Sequence, residues 1–259
     1  MSGVVRLEHD GPLAVLTLDA PPLNLFDAAV FAGFRDAIDG LVAQPPRGVL
    51  IRAEGKVVSG GVDVGKVFDG MSPEAGGQLW AELLADVQKL EDLPCPVVFA
   101  AHGLCLTAAF EIALACDILL ASERARFGLV EIVVGLTPSM GGPQRLAERA
   151  GPARAKELIF TGDLFDAETL ERWNVVNRVL PAEGFDEAAR AYALRIANGP
   201  TQAHAATKAI VRAQKEDGAR AADAIVPEVS GALFETEDLQ NAVRSFLAEG
   251  PGKAIYTGR

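Results

Sequence analysis

Cysteine and histidine are scarce in this chain, with three of each in 259 residues. Cys95, Cys105 and Cys116 are odd in number and form no CxxC pair, so a disulfide framework has nothing to build on. They read as buried apolar residues of a reducing compartment. His9, His102 and His204 are too scattered to suggest a metal site, and no metal is expected. Basic residues are also short: 24 Lys and Arg face 35 Asp and Glu, a net charge of −11. No basic stripe is available to neutralise phosphates, which argues against a nucleic-acid partner. No run reaches the ~18 apolar residues of a membrane span. The opening MSGVVRLEHDG carries charges where a signal peptide needs an apolar core. The expectation is a soluble cytoplasmic protein with no membrane partner.

Several nucleotide and hydrolase signatures are missing as well. There is no GxGxxG for a dinucleotide fold and no GxSxG elbow for a serine hydrolase. Gly60 to Lys66 matches the spacing of a phosphate-binding loop up to its lysine. Val67 then stands where a hydroxyl should hold Mg²⁺, and Asp63 would put a negative charge in the cradle, so that reading fails.

What is present is core material: 49% of residues are apolar. Val4–Leu7 and Leu13–Leu18 are alternating, β-branched-rich segments separated by Asp10-Gly11, a hairpin signal. Apolar spacing predicts helices over Phe26–Val42 and Leu79–Leu93, the latter stopped by Pro94 and Pro96. Gly48–Ile51, Val97–Ala101, Ile118–Ala121 and Val175–Leu180 read as strands. Ala108–Cys116, Gly142–Ala150 and Ala153–Phe160 read as helices. From Asp186 to Phe246 the chain is Ala-rich and helical throughout. The alternation predicts an α/β core over residues 1–195 and a helical C-terminal region over 196–259.

Two carboxylates stand alone in apolar surroundings. Glu111 is the only ionisable carboxylate in GLCLTAAFEIALAC (Gly103–Cys116), and Glu131 is the only charge in FGLVEIVVGLTPSMGG (Phe127–Gly142). A buried carboxylate either finds a partner or has its pKa raised, and a raised pKa suits general acid–base work near neutrality. A structural alternative remains for each, as a helix cap or the partner of a buried arginine. Thr107-Ala108-Ala109 opens the Glu111 helix directly after a strand, and a helix start offers free N–H groups to a developing oxyanion.

In order and spacing these pieces resemble the crotonase (enoyl-CoA hydratase/isomerase) family. The resemblance runs through LTLDAPPLN (Leu16–Asn24), GKVVSGGVDV (Gly55–Val64), PCPVVFAAHGLCLTAAFEIALACDILLAS (Pro94–Ser122), ARFGLVEIVVGLTPSMGGPQRL (Ala125–Leu146) and ELIFTGDLFDAETLERWNVVNRVLP (Glu157–Pro181). It implies a crotonase-like spiral of ββα turns, with the C-terminal helices used in trimerisation and a homotrimer or homohexamer as the assembly. It implies an acyl-CoA thioester as substrate and no separate cofactor. The oxyanion hole would be the N–H groups of Val62 and Ala108, and the water-handling pair would be Glu111 and Glu131. Substrate contacts would come from Lys56, Gly60, Gly61, Asp63, Phe110 and Gly135.

Three departures from the family pattern stand out. Ala108-Ala109-Phe110 replaces a run of glycines before the first glutamate, with Phe110 expected to shape the acyl pocket. The tail SFLAEGPGKAIYTGR lacks the usual charged ending, leaving Lys253 as the candidate for the CoA phosphates. PPLNLFD is unusually apolar. With both glutamates present, the resemblance implies an enoyl-CoA hydratase. The alternatives are a double-bond isomerase or other acyl-CoA enzyme of the family, and a non-catalytic acyl-CoA-binding subunit.

Overall fold

The computed structural model describes residues 3–259. In chain order the elements are β1 (Val5–Asp10), β2 (Leu13–Leu18), α1 (Ala28–Ala43), β3 (Gly48–Ala53), a single turn α2 (Val64–Val67) and α3 (Pro73–Glu91). There follow β4 (Val97–Ala101), β5 (Leu104–Leu106), α4 (Ala108–Ala115), β6 (Ile118–Ser122), β7 (Arg126–Gly128) and a 3₁₀ turn at Glu131–Val134. Then come α5 (Gly142–Ala150), α6 (Pro152–Thr161), β8 (Phe165–Asp166), α7 (Ala167–Arg172) and β9 (Arg178–Leu180). The chain closes with α8 (Phe185–Ala197), α9 (Thr201–Asp217), α10 (Ala219–Gly231) and α11 (Glu237–Glu249).

A six-stranded sheet runs in the order β1-β2-β3-β4-β6-β9, and a three-stranded sheet runs β5-β7-β8. Only β1 lies antiparallel in the large sheet, joined to β2 through Gly11 at φ 58°. Two successive ββα turns divide their strands between the sheets. β4 and β6 enter the large one, β5 and β7 the small one, and α4 and α5 follow. The α/β core read from the sequence is therefore present, in the spiral of ββα turns that the family resemblance implies, with a helical C-terminal region after it.

Period-two alternation explains why the central strands are apolar on both faces. Leu13, Val15, Leu50, Val98, Ala100 and Leu120 face α8, which meets them with Phe185, Ala189, Ala193 and Ala197. Their neighbours Ala14, Leu16, Val49, Ile51, Val97, Phe99 and Leu119 face the larger core under α1, α3 and α4. Helix α4 is buried at all eight positions, as an all-round apolar sequence requires.

Sequence boundaries shift where capping decides. α3 begins at Pro73 rather than Leu79, because Ser72 accepts from the Ala75 N–H and Pro73 needs no partner at the first helical position. β9 begins at Arg178 rather than Val175, because the Val175 and Val176 N–H groups close α7 on the Leu170 carbonyl.

Candidate active site

Helix α4 carries Glu111 into the core, where it is 2% exposed. Its Oε1 accepts the N–H groups of Met140 and Gly142, both at 2.8 Å. That grip needs glycine: a Cβ on Gly142 would stand 2.9 Å from both Cγ and Oε1 of Glu111. Burial pushes the Glu111 carboxyl up to about 7, although the Gly142 and Met140 N–H groups and the Arg145 charge pull the other way.

Glu131 opens the 3₁₀ turn after β7 and is partly buried. Gly135 ends that turn in the left-handed region at φ 74°, so that the Leu136 N–H returns to the Glu131 carbonyl. Glu131 Oε2 is a buried oxygen with no hydrogen-bond partner among the described residues. Burial, and then the neighbouring Glu111 charge, raise its carboxyl to about 8. The two carboxylates picked out in the sequence for their isolation thus meet at one place.

Val62 and Ala108 are brought to the same place from different directions. Phe26 bridges to Val62 by donating to the Gly61 carbonyl and accepting from the Asp63 N–H. That pattern uses the flanking peptides and turns the Val62 N–H away from Phe26. The Ala108 N–H begins α4, where no intrahelical acceptor exists. Neither N–H has an acceptor among the described residues. Gly61 lies against Thr107, since a Cβ there would come within 2.7 Å of Thr107 Oγ1. The peptides before Val62 and Ala108 are therefore neighbours, and both donors are free.

The segment around them is locked. Ser59 donates its hydroxyl to the Asn24 carbonyl at 2.7 Å and accepts the Gly61 N–H at 3.0 Å. Buried Asn24 accepts from the Ala20 N–H and donates to the carbonyls of Glu54 and Val57. Gly60 is packed by Leu25, 3.1 Å from where its Cβ would lie.

Other expected contacts fall differently. Phe110 does not line an open pocket. It is fully buried and tilts against Phe127 with ring centroids 5.1 Å apart, so it packs behind α4. Asp63 caps α2 through the Lys66 N–H and pairs with the Lys66 ammonium at 3.0 Å, as does Asp27 at 3.2 Å. Those pairs also occupy the lysine that the phosphate-loop spacing would require. Lys56 is exposed just beyond the end of β3. The tail carrying Lys253 is held at the other end of that strand, where Arg47 donates to the Tyr256 carbonyl. One chain does not bring that anchor and Lys56 together.

The altered glycine segment is also displaced from expectation. Ala108, Ala109 and Phe110 are ordinary helical residues, whereas Thr107 sits at φ 47°, ψ −120°, a backbone that suits glycine. Its hydroxyl is buried and unpartnered among the described residues. Met140, Gly142 and Arg145 lie outside the site residues expected from the sequence. A pair of glycines before an amphipathic helix was the one signal that could have drawn attention to them.

Comparison with known proteins identifies the family. A model of the enoyl-CoA hydratase/isomerase family matches residues 8–253. A carnitinyl-CoA dehydratase of Salmonella heidelberg is 35% identical over 222 residues, covering 83% of each chain. One of Citrobacter koseri is 34% identical over 227 residues with the same coverage. An enoyl-CoA hydratase structure from Geobacillus kaustophilus superposes with a TM-score of 0.93 at 25% identity, covering 100% of this chain and 98% of the other. One from Mycobacterium smegmatis gives 0.89 at 26% identity, with 95% and 96% coverage. By sequence and by fold, this chain belongs to the crotonase, or enoyl-CoA hydratase/isomerase, family.

Proposed function

We propose that this chain is an enoyl-CoA hydratase, adding water across the double bond of a 2-enoyl-CoA thioester. The observation that carries the reading is the unequal treatment of two neighbouring carboxylates. Glu111 Oε1 receives two backbone N–H donors, which favour its ionised form. Glu131 Oε2 receives none, and burial favours its protonated form. Of the two, Glu111 is the better placed to be ionised and Glu131 the better placed to hold a proton.

The chemistry follows from that split. Glu111 takes a proton from water as the water oxygen bonds to C3. The C2–C3 π electrons move toward the thioester oxygen, where the Val62 and Ala108 N–H groups stabilise the enolate-like charge. One such donor is worth roughly 3–4 kcal/mol of barrier in other oxyanion holes. Glu131 then delivers its proton to C2, and exchange with solvent restores the starting protonation. The reaction is redox-neutral. Lys56, Gly60 and Gly61 border the thioester's approach, and the exposed Lys56 ammonium is the proposed contact for the nucleotide part of CoA.

The test is loss of the conjugated-thioester absorbance when purified protein meets crotonyl-CoA and a longer 2-enoyl-CoA. Turnover is expected, and Glu131→Gln should abolish it while leaving the fold intact. No turnover of either substrate, or wild-type turnover in that variant, would sink the proposal. A 3-enoyl-CoA belongs in the same panel. Its conversion to the 2-enoyl product without dependence on Glu111 would mark an isomerase. The identity of 34–35% to carnitinyl-CoA dehydratases favours one further reading, the reverse elimination of water from a cationic 3-hydroxyacyl thioester. Carnitinyl-CoA as substrate decides it.

A further inference from the structure

The turn that grips Glu111 is itself held from behind. Arg145, 6% exposed, donates from Nε to Glu91 Oε1 at 2.9 Å, from Nη2 to Glu91 Oε2, and from Nη1 to the Gly141 carbonyl at 3.3 Å. Glu91 is the last residue of α3, so this fork ties α3 to the start of α5. Two adjacent glycines make the arrangement fit. A Cβ on Gly141 would overlap Arg145 Nη1 at 1.7 Å, and one on Gly142 would press Glu111 at 2.9 Å. The turn is one peptide thick, with a guanidinium on one side and a carboxylate on the other.

We propose that Arg145 and Glu91 are positioning residues for the reaction: their ion pair fixes the Met140–Gly142 turn on Glu111, and the charge balance behind that turn sets Glu111's affinity for its proton. The inference rests on Glu111 acting as the base in the proposed function. Arg145 alone would stabilise the Glu111 carboxylate through a thin, water-poor layer, and Glu91 cancels part of that charge. Other charged groups also face the network. Arg149 of α5 lies near Glu91 and donates to the Val175 and Cys116 carbonyls. Glu131 faces Glu111 from the 3₁₀ turn. Lys215 of α9 approaches Glu91 Oε1 at 3.5 Å and Glu148 of α5 at 2.8 Å. Cys105 and Cys116 flank α4 as neutral thiols, because burial pushes both far up.

A simple clamp and a charge-setting pair predict different things. Removing either half of a clamp weakens the fold and leaves proton affinities alone. Removing either half of this pair moves Glu111 in opposite directions. Arg145→Gln deletes a positive charge and should raise the pH at which Glu111 loses its proton. Glu91→Gln leaves Arg145 without its carboxylate partner, while Lys215 keeps Glu148, and should lower it. A neighbouring charge commonly changes proton affinity by about tenfold or more, one pH unit on the acid limb of kcat/KM. Arg145→Lys keeps the charge but not the fork, so its limb should stay in place while kcat falls.

The experiment records kcat/KM against pH with crotonyl-CoA for the four proteins. In parallel, the Glu111 side-chain carboxyl is titrated by ¹³C NMR, assigned through Glu111→Gln, in the absence of substrate. Opposite displacements in the two glutamine variants support the proposal, and parallel or absent displacements overturn it. Should Arg145→Gln fail to fold, Lys215→Gln against Glu91→Gln gives the same contrast from the exposed side. The NMR titration keeps the two readings apart. Opposed shifts in a protein that hydrates no enoyl-CoA would uphold the charge-setting pair and remove only the proposed reaction.

Discussion

At the scale of single residues, the site is organised by what Glu111 and Glu131 are denied. Both are held where water cannot solvate them freely, and both carboxyls are raised, to about 7 and about 8. The pair should therefore titrate in two coupled steps across neutrality. Below the first step Glu111 carries a proton and cannot act as base. Above the second, Glu131 has lost the proton it must donate. A bell-shaped kcat/KM with its maximum between about pH 7 and pH 8 is expected, and a profile flat from pH 5 to 9 would contradict the assignment. The same burial has a stability consequence. In the unfolded chain Glu111 loses its proton near 4.5; in the folded chain it keeps it to about 7. Between those values the folded state holds the extra proton, so the Glu111 contribution to stability falls as pH rises through the window and levels off above it, while Glu131 continues the same trend to about 8. The cost at pH 8 is roughly 3 kcal/mol. Glu111→Gln removes that cost while its amide oxygen still accepts from Met140 and Gly142. Urea unfolding should find the variant more stable than wild type at pH 8, with little difference at pH 5.

At the scale of elements, the oxyanion donors depend on how the loop after β3 meets the start of α4. Gly61 at φ 102° and Thr107 at φ 47° face each other, and both occupy backbone that L side chains resist. Thr107→Gly removes a strained β-branched residue but also some packing, so the net change in thermal unfolding should be within about 1 kcal/mol. Gly61→Ala should be severe, because its new methyl meets Thr107 Oγ1 at 2.7 Å. Combining the two should recover part of the loss, and strict additivity by double-mutant cycle would refute the contact. None of this could be read from the sequence, since a positive φ at threonine leaves no local signature. Long apolar periodicities were readable: β2, β4 and α5 lie where the pattern put them. The three-residue strands β5 and β7 and the two-residue β8 were not, because so few residues cannot show a period. Glu111 and Glu131 could be picked out because each is a lone charge in an apolar run, although a helix cap or a buried arginine partner would explain either one. Their partners could not, because Met140, Gly142 and the free N–H groups act through backbone, which every residue shares.

At the scale of the molecule, the C-terminal quarter differs from the rest in what it leaves uncovered. Helix α9 has no fully buried residue, and α10 and α11 have one each, Ala222 and Asp238. Charged side chains hold α9 to the body: Lys208 pairs with Asp117 at 2.8 Å, and Arg212 pairs with Asp92. Asp238 folds the tail back by accepting from the Thr257 and Gly258 N–H groups. Meanwhile Val226, Phe234, Val243, Phe246 and Leu247 stand exposed, Leu247 at 79%. Isolated exposed apolar residues are ordinary, but a set of them on consecutive helices marks an interaction surface. We propose that this region is covered by further copies of the chain, in the trimer or hexamer that the sequence resemblance implies. Sedimentation equilibrium should then give three or six times the 27.2 kDa protomer mass. Phe246→Asp with Leu247→Asp should dissociate the assembly, because each new carboxylate would have to be buried unpaired in the interface. A wild-type protein that sediments as a monomer at micromolar concentration would reject the proposal. Dissociation with kcat retained would instead show that each site is complete within one chain, as the placement of Glu111, Glu131, Val62 and Ala108 on a single protomer implies.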